Sequence, residues 1–416
     1  MSRTFASFEV KNYRYYFAGA LVSNIGTWVH RIAQDWLVLT ELTDGSSAAL
    51  GLVTALQFLA IPFLAPYAGG IVDRFSKRAV LIVTQLLLML NSFAMWLIVF
   101  TDVAQLWHVY MLAFVQGIII SFDNPARQAF VPEIVSQERL ANAVGLNSTS
   151  FNGARLVGPG AAGFMIAAFN DDVAPALLIN TLSFVAMLIA LIALDTKELH
   201  PSPRAARKGA IRGGLKYLKT KPDIVVLLVI VFMLGTFVLN FQIFNATMAT
   251  QIFGKGSGEY GLLGTIMAIG TLAGALMAAR RQRPRMRTIL LALLAFSLLT
   301  IGLAFSPNYL VYAALLVPTG FFSLTVMTSA NAAVQIYMAI FLGGTPIGAP
   351  IIGWLGDAFG PRSTLLFGGG ANLIAVVGIL MYFWTKGMRL RIRYSNYLPR
   401  VHAEWSVQAH EKQIGY

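Results

Sequence analysis

The chain has 416 residues, of which 57% are hydrophobic and 12% are charged, and its net charge is +13. Soluble proteins carry about twice that share of charged residues, so the composition excludes an ordinary soluble globular protein. Cysteine is absent, which excludes disulfides, thiol catalysis and cysteine-based metal sites. An excess of Lys and Arg on cytoplasmic loops explains the positive charge better than nucleic-acid binding does.

Long uncharged blocks separate the charged residues, and several blocks reach the length that crosses a bilayer as a helix. Backbone N–H and C=O groups must be paired inside lipid, so these blocks are predicted to be helices. A β-barrel would instead show polar and apolar residues alternating in segments of about ten residues, and this chain does not show that pattern. Basic residues in "MSRTFASFEVKNYRYYF" precede the first block and no small-residue cleavage pattern follows it. The first block is therefore expected to be a retained helix.

Apolar runs between charged residues and Pro, Gly or Asn breaks predict twelve membrane spans. They lie near 15–39, 48–72, 79–100, 107–125, 144–168, 173–194, 223–252, 259–279, 288–305, 309–329, 336–355 and 363–385. With a cytoplasmic N-terminus, only Lys255 and Arg362 of the basic residues fall on outer loops, and only Arg31 and Arg155 fall within spans. The distribution predicts both the number of spans and cytoplasmic N- and C-termini.

Span 1 contains two charged residues, Arg31 and Asp35, four positions apart and so on one helix face. Charged groups inside a membrane are costly and usually functional. We expect Asp35 to take up a proton or to meet a cationic substrate, with Arg31 tuning its proton affinity. The alternative is a pair that satisfies itself near the outer headgroups.

The turn between spans 2 and 3 contains "GGIVDRFSKR" at 69–78. An acid flanked by bases is suited to a gate, because it can pair across two helix bundles in one state and separate in another. The proposed gating motif consists of Gly69, Asp73, Arg74, Lys77 and Arg78, with Asp123 and Arg127 near the inner end of span 4 as a further gate pair. The alternatives are a simple orientation signal in the turn and a helix end at Pro125.

Span 5 contains "ARLVGPGAAG" at 154–163. Pro159 is expected to bend the helix, while Gly158 and Gly163 permit close packing against a neighbour. Arg155, in the same span, is predicted to face a cavity and to meet Asp123 or an anionic substrate.

A basic, proline-containing stretch follows span 6 and predicts a linker over 196–222. It would join an N-terminal six-helix bundle, 1–195, to a C-terminal six-helix bundle with a cytoplasmic tail, 223–416. Asn240 and Asn245 in span 7 are predicted to line the central cavity, with interhelical hydrogen bonding as the alternative.

These motifs resemble those of the major facilitator superfamily. Its motif after span 2 reads Gly-x-x-x-Asp-Arg-x-Gly-Arg-Arg/Lys, and Ser76 replaces the second glycine here. Its drug and metabolite antiporters carry Gly-x-x-x-Gly-Pro-x-x-Gly-Gly in span 5, where Ala154 and Ala162 each replace a glycine. In addition, "FDNPARQAFVPEIV" (122–135) and "GGTPIGAPIIGWLGDAFGPR" (343–362) resemble the enterobactin-exporter branch.

The resemblance implies the major facilitator fold, an all-α membrane protein in which two six-helix bundles rock around a central site. It also implies that Asp73 caps the inner end of span 11 at the positive end of the helix dipole. A motif of span 4 is incomplete, since Ala113 stands where the family often has an Arg that relays protons. Internally, "GGIVDRFSKR" and "GWLGDAFGPR" after span 11 share Gly-x-x-x-Asp and a following base.

The link between spans 10 and 11 departs from the family, which usually has a basic loop there. Gln335 is followed directly by Ile336 and Tyr337, so roughly ten residues are missing. About twenty apolar residues remain on each side, enough for two short helices. The alternative is one distorted pair of helices or a disabled protein.

No nucleotide-binding glycine loop, metal cluster or histidine pair at ligand spacing is visible, so no cofactor, metal or enzymatic activity is expected. The leading prediction is a monomeric, multi-pass transporter of a bacterial cell membrane. It would couple protons to efflux of a small amphipathic substrate, such as a drug or siderophore-like metabolite. The alternatives are proton-coupled uptake and a non-transporting sensor or remnant.

Overall fold

The computed structural model describes residues 3–200, 232, 236, 240–279, 286–333, 338–385, 389–393 and 402–406. Six long helices form the first part of the chain, which we call the N-set. They are α1 (Lys11–Trp36), α2 (Ser47–Arg74), α3 (Lys77–Phe100), α4 (Leu106–Ile134), α5 (Gln137–Ala168) and α6 (Ala174–Ile192).

The helices after residue 240 form the C-set. They are α7 (Phe241–Thr247), α8 (Ser257–Ala279), α9 (Met286–Ala304), α10 (Tyr309–Ala333), α11 (Met338–Phe359) and α12 (Pro361–Thr385). Short 3₁₀ segments lie at Arg3–Glu9 and Thr196–Glu198. Wide π-helical turns, Leu37–Glu41 and Met248–Ile252, extend α1 and α7.

Seven of the described helices are long and apolar enough to cross a bilayer, and an eighth apolar stretch, Thr288–Ala304, is shorter. The seven spanning segments lie in α2, α3, α4, α6, α8, α10 and α12. The helices α1 and α5 carry the charged residues Arg31, Asp35 and Arg155, whose polarity lowers the hydropathy of those segments. The full set of twelve spans stays a prediction, as do the orientation and the boundaries of the two bundles.

The end of α4 differs from the sequence expectation. A helix end at Pro125 is one of the sequence expectations, but α4 continues through Pro125 and Pro132 to Ile134. The ion pair between Arg127 and Asp123 joins the turns on either side of Pro125.

Two other expectations concern the C-terminal part of the chain. Helices lie on both sides of the shortened link, since α10 ends at Ala333 and α11 begins at Met338; the link itself lies outside the described residues. So do most of the linker and the first part of span 7. The all-helical prediction needs one addition, because Arg389–Arg393 and His402–Ser406 form an antiparallel hairpin with Leu390 opposite Trp405.

Each set packs chiefly within itself, and two helix pairs make the most extensive contacts between the sets. In the N-set, α1 packs on α5 and α6, α3 on α4 and α6, and α2 on α4. In the C-set, α8 packs on α10, α9 on α10 and α12, and α11 on α12. The most extensive contacts between the sets are those of α2 with α11 and of α5 with α8.

Glycines set how closely these joining pairs approach. A Cβ on Gly51 of α2 would lie 2.4 Å from the Ala349 carbonyl oxygen of α11. A Cβ on Gly261 of α8 would lie 2.3 Å from the Pro159 carbonyl oxygen of α5. Backbone therefore meets backbone at both pairs, the arrangement that small residues permit between membrane helices.

Candidate functional site

A cavity of about 430 Å³ lies between the N-set and the C-set. Its size is in the range that holds a drug-sized molecule. Both sets contribute to its wall. Among its lining residues are Asn24, Trp28, Arg31, Gln57, Phe58, Gln116, Asp123, Arg127, Phe151, Arg155, Asn240, Gln242, Asn245 and Tyr260.

Asp35 connects α1 to the C-set. Its Oδ2 atom accepts a 2.8 Å hydrogen bond from the Tyr260 hydroxyl and a 3.3 Å hydrogen bond from Nε2 of Gln242. The side chain is buried, and the Tyr260 ring stacks on Trp36. Asp35 lies behind Tyr260 and is not part of the cavity wall.

Arg31 does not pair with Asp35 although the two lie one helical turn apart, and no carboxylate oxygen of the described residues lies within 4.0 Å of its guanidinium. Instead, Arg31 Cζ lies 5.2 Å from the Trp28 ring centre and 5.8 Å from the Phe58 ring centre. Arg155 Cζ lies 5.7 Å from the same Trp28 ring. Cation–π attraction therefore holds both guanidiniums at the cavity wall.

Asp123 and Arg127 form the second charged pair predicted from spacing, with 2.6 Å between Arg127 Nε and Asp123 Oδ2. The other carboxylate oxygen of Asp123 accepts hydrogen bonds of 2.7 Å from Thr84 and Gln85 of α3. Asp123 is therefore satisfied within the N-set. It lines the same cavity as Arg155, but among the described residues no ion pair joins it to Arg155.

Neutral amides fill much of the remaining wall. Asn240 donates to the Thr236 carbonyl at 2.9 Å, and the Asn245 side-chain oxygen accepts from the Tyr312 hydroxyl at 3.0 Å. Both asparagines line the cavity. The bond of Asn245 joins two C-set helices, whereas the bond of Asn240 reaches the residue four positions earlier in the chain.

The gating motif lies at one end of the bundle, which we call the Asp73 end. Asp73 and Arg74 are exposed there, and no described heavy atom lies within 4 Å of a Cβ built on Gly69. Lys77 and Arg78 bind other N-set helices. Lys77 pairs with the buried Glu133 of α4 at 3.2 Å, and Arg78 donates to the Leu191 and Ile192 carbonyls at the end of α6.

The opposite end, which we call the Asp357 end, holds the two sets together. Asp357 of α11 accepts hydrogen bonds from the Ser46 hydroxyl and from the Ser47 and Ala48 backbone N–H groups at the start of α2. Asp171 accepts a 2.6 Å hydrogen bond from the Ser257 hydroxyl at the start of α8.

The span 5 motif also lies toward the Asp357 end. A Cβ on Gly163 would lie 2.5 Å from the Ser257 carbonyl oxygen, and Gly158 faces Trp28 of α1. The Thr265 hydroxyl donates to the Leu156 carbonyl and accepts from the Gly160 N–H. Within the described residues, the hydrogen bonds between the sets all lie in this half of the bundle.

Sequence reasoning did not assign roles to Tyr260, Glu133 or Asp357. Tyr260 and Glu133 act through partners distant in the chain, and nothing local marks them. Asp357 had a signal, since it occupies the aspartate position of the internal echo between "GGIVDRFSKR" and "GWLGDAFGPR".

Comparison with known sequences identifies relatives among membrane transporters. A family model described as "Transmembrane secretion effector" matches residues 2–403. The uncharacterized MFS-type transporter YfiS of Bacillus subtilis is 27% identical over 292 residues, 69% of this chain and 67% of the relative. The staphyloferrin A transporter of Staphylococcus aureus is 21% identical over 399 residues, 92% of this chain and 99% of the relative. The multidrug efflux pump Tap of Mycolicibacterium fortuitum is 25% identical over 367 residues, 84% and 86% of the two chains.

Solved structures share the fold. The nucleoside transporter NupG superposes with a TM-score of 0.71 at 12% identity, covering 89% of this chain and 100% of that one. A bacterial homolog of the human lysosomal transporter Spinster superposes with a TM-score of 0.62 at 14% identity, covering 89% and 94%. The match over nearly its whole length shows that the chain belongs to the transmembrane secretion effector family, within the major facilitator superfamily of transporters.

Proposed function

We propose that the protein exports a small amphipathic compound from the cytoplasm by alternating access, in exchange for protons, as a monomer in a bacterial cell membrane. The observation that carries this proposal is the asymmetry of the cavity. Hydrogen bonds and glycine contacts join the two sets toward the Asp357 end, while Asp73, Arg74 and Gly69 at the other end have no described partner across the sets.

The proposed orientation of the protein across the membrane follows from the positions of its positively charged residues. Arg74, Lys77 and Arg78 lie at the Asp73 end, and basic loops face the cytoplasm. On that assignment, twelve spans form two six-helix bundles with both termini inside, and the cavity in this structure receives its compound from the cytoplasm. Closure at the Asp73 end and opening at the Asp357 end would then release the compound outside.

Asp35 is the proposed proton site. Its carboxylate is buried and bonded by Tyr260 and Gln242, which belong to the other set. A charged carboxylate accepts stronger hydrogen bonds than a protonated one, so proton binding would weaken this link between the sets. Proton uptake from outside and separation of the sets would thereby be coupled.

Export is favoured over uptake by the relatives, which include the multidrug efflux pump Tap. The test uses proteoliposomes with an imposed pH gradient and a panel of labelled amphipathic compounds. Export predicts substrate movement opposite to the protons, and loss of that exchange in Asp35→Asn. Movement of both in the same direction would indicate uptake, and a protein that moves no compound or proton would indicate the non-transporting alternative.

A further inference from the structure

We infer, building on the proposed transport function, that the transported compound is an organic anion. Its carboxylate would bind between Arg31 and Arg155, and its apolar, planar part would lie against the aromatic residues of the same wall. The inference adds the charge class of the substrate to the proposed export.

The described lining residues of the cavity carry more positive than negative charge. Of the residues that line it, Arg31, Arg127 and Arg155 are positive and Asp123 is negative. Asp123 is already bonded to Arg127 at 2.6 Å and to two α3 side chains. Among the described lining residues, two positive charges therefore remain, and no carboxylate is left to attract a cation.

The two remaining arginines, Arg31 and Arg155, are positioned to bind an anion. In the described part of the chain, neither guanidinium forms a hydrogen bond or ion pair with a protein acceptor, and both rest on the Trp28 ring. Both side chains are partly exposed to the cavity. They are near enough to repel each other, so a shared oxyanion would relieve that repulsion as well as fill their donor sites.

Asp35, the acid in span 1, does not supply a free negative charge to the cavity. It attracts Arg31 through space, but it is bonded to Tyr260 and Gln242 and lies behind the cavity wall. A cation in the cavity would meet the arginines before it met Asp35. The wall therefore favours an anion, and the Trp28, Phe58 and Phe151 rings favour one with an aromatic or other flat apolar part.

The experiment compares the binding of three probes that share a naphthalene ring and differ in charge. They are 2-naphthoate, 2-naphthylmethanol and 2-naphthylmethylammonium. Binding to the full-length protein is measured by calorimetry in phosphatidylcholine nanodiscs, so that no anionic lipid competes. We expect 2-naphthoate to bind at least about tenfold more tightly than the ammonium probe, the effect of one charge-assisted hydrogen bond. Equal affinities, or tighter binding of the ammonium probe, would overturn the inference.

Variants assign the preference to the two arginines. Arg31→Gln and Arg155→Gln are each expected to lower the affinity for 2-naphthoate about tenfold and to leave the alcohol unchanged. Arg31→Lys and Arg155→Lys should keep part of the preference, which guards against loss of folding in the Gln variants. The matched control is Arg139→Gln, because the Arg139 guanidinium pairs with Glu9 at the surface and does not line the cavity. A preference unchanged in both Gln variants would contradict the assignment.

Flux measurements separate this inference from the proposed function. If 2-naphthoate binds selectively but no compound crosses proteoliposomes under a pH gradient, the transport proposal fails and the anion site stands. If the ammonium probe is exported in exchange for protons while 2-naphthoate neither binds nor moves, the transport proposal stands and the anion site fails.

Discussion

The Asp357 carboxylate accepts a 2.6 Å hydrogen bond from the backbone N–H of Ser47, the first residue of α2. The Ser46 hydroxyl and the Ala48 N–H complete the contact at 2.7 and 3.1 Å. An acid from the last turns of α11 thus caps the positive end of α2. This is the relationship that resemblance predicts between Asp73 and the start of α11, but at the opposite end of the same helix pair.

Removal of the Asp357 charge is expected to favour the state open at the Asp357 end. Asp357→Asn loses a charge–dipole contact worth about 1 kcal/mol, so the ratio of open to closed molecules should rise about fivefold. Because the chain has no cysteine, spin labels on Asp102→Cys and Asn308→Cys report this opening as a longer interlabel distance. Asp44→Asn, an exposed acid at the same end, is the control, and an unchanged distance distribution in Asp357→Asn would refute the cap.

Asp73→Asn should separate stability from transport. Asp73 is exposed in the present state, so the thermal unfolding midpoint should stay close to that of the unmodified protein. If Asp73 caps α11 in the opposite state, flux should fall on the order of tenfold. Flux equal to that of the unmodified protein would restrict the motif to an orientation signal.

Gly261→Ala is expected to separate α5 from α8. The added methyl would lie 2.3 Å from the Pro159 carbonyl oxygen, and overpacking of this kind costs about 1–3 kcal/mol. A lower unfolding midpoint and a longer distance between labels on α5 and α8 should result. Gly153→Ala is the matched control, since no described heavy atom lies within 4 Å of its Cβ position; equal effects of the two changes would argue against a tight contact.

The buried pair of Lys77 and Glu133 should contribute to the fold of the N-set. Lys77→Met removes the 3.2 Å ion pair to the buried Glu133 carboxylate, so the free energy of unfolding should fall, by up to about 3–5 kcal/mol. The double variant Lys77→Met/Glu133→Leu should recover much of that loss in a denaturation series. If the double variant were as unstable as the sum of the single ones, the two residues would not be coupled.

The spacing of charged residues along the chain predicted one ion pair of the site correctly and another incorrectly. Asp123 and Arg127 pair as their spacing of one helical turn indicates. Arg31 and Asp35 have the same spacing and do not pair, because Tyr260, 225 residues away from Asp35, supplies a competing donor. Helix existence followed from apolar blocks, whereas the joining of α2 to α11 and of α5 to α8 depends on contacts between distant segments that no local pattern encodes.

Wide turns of the same kind lie at the ends of α1 in the N-set and α7 in the C-set. Leu42 N–H donates to the Leu37 carbonyl in one, and Phe253 N–H donates to the Met248 carbonyl in the other. Counting back six residues from each wide turn gives Arg31 in the first set and Gln242 in the second. Six residues before its wide turn, one set therefore supplies a cation to the cavity and the other a neutral amide, so similar helix ends deliver different charge to the same wall.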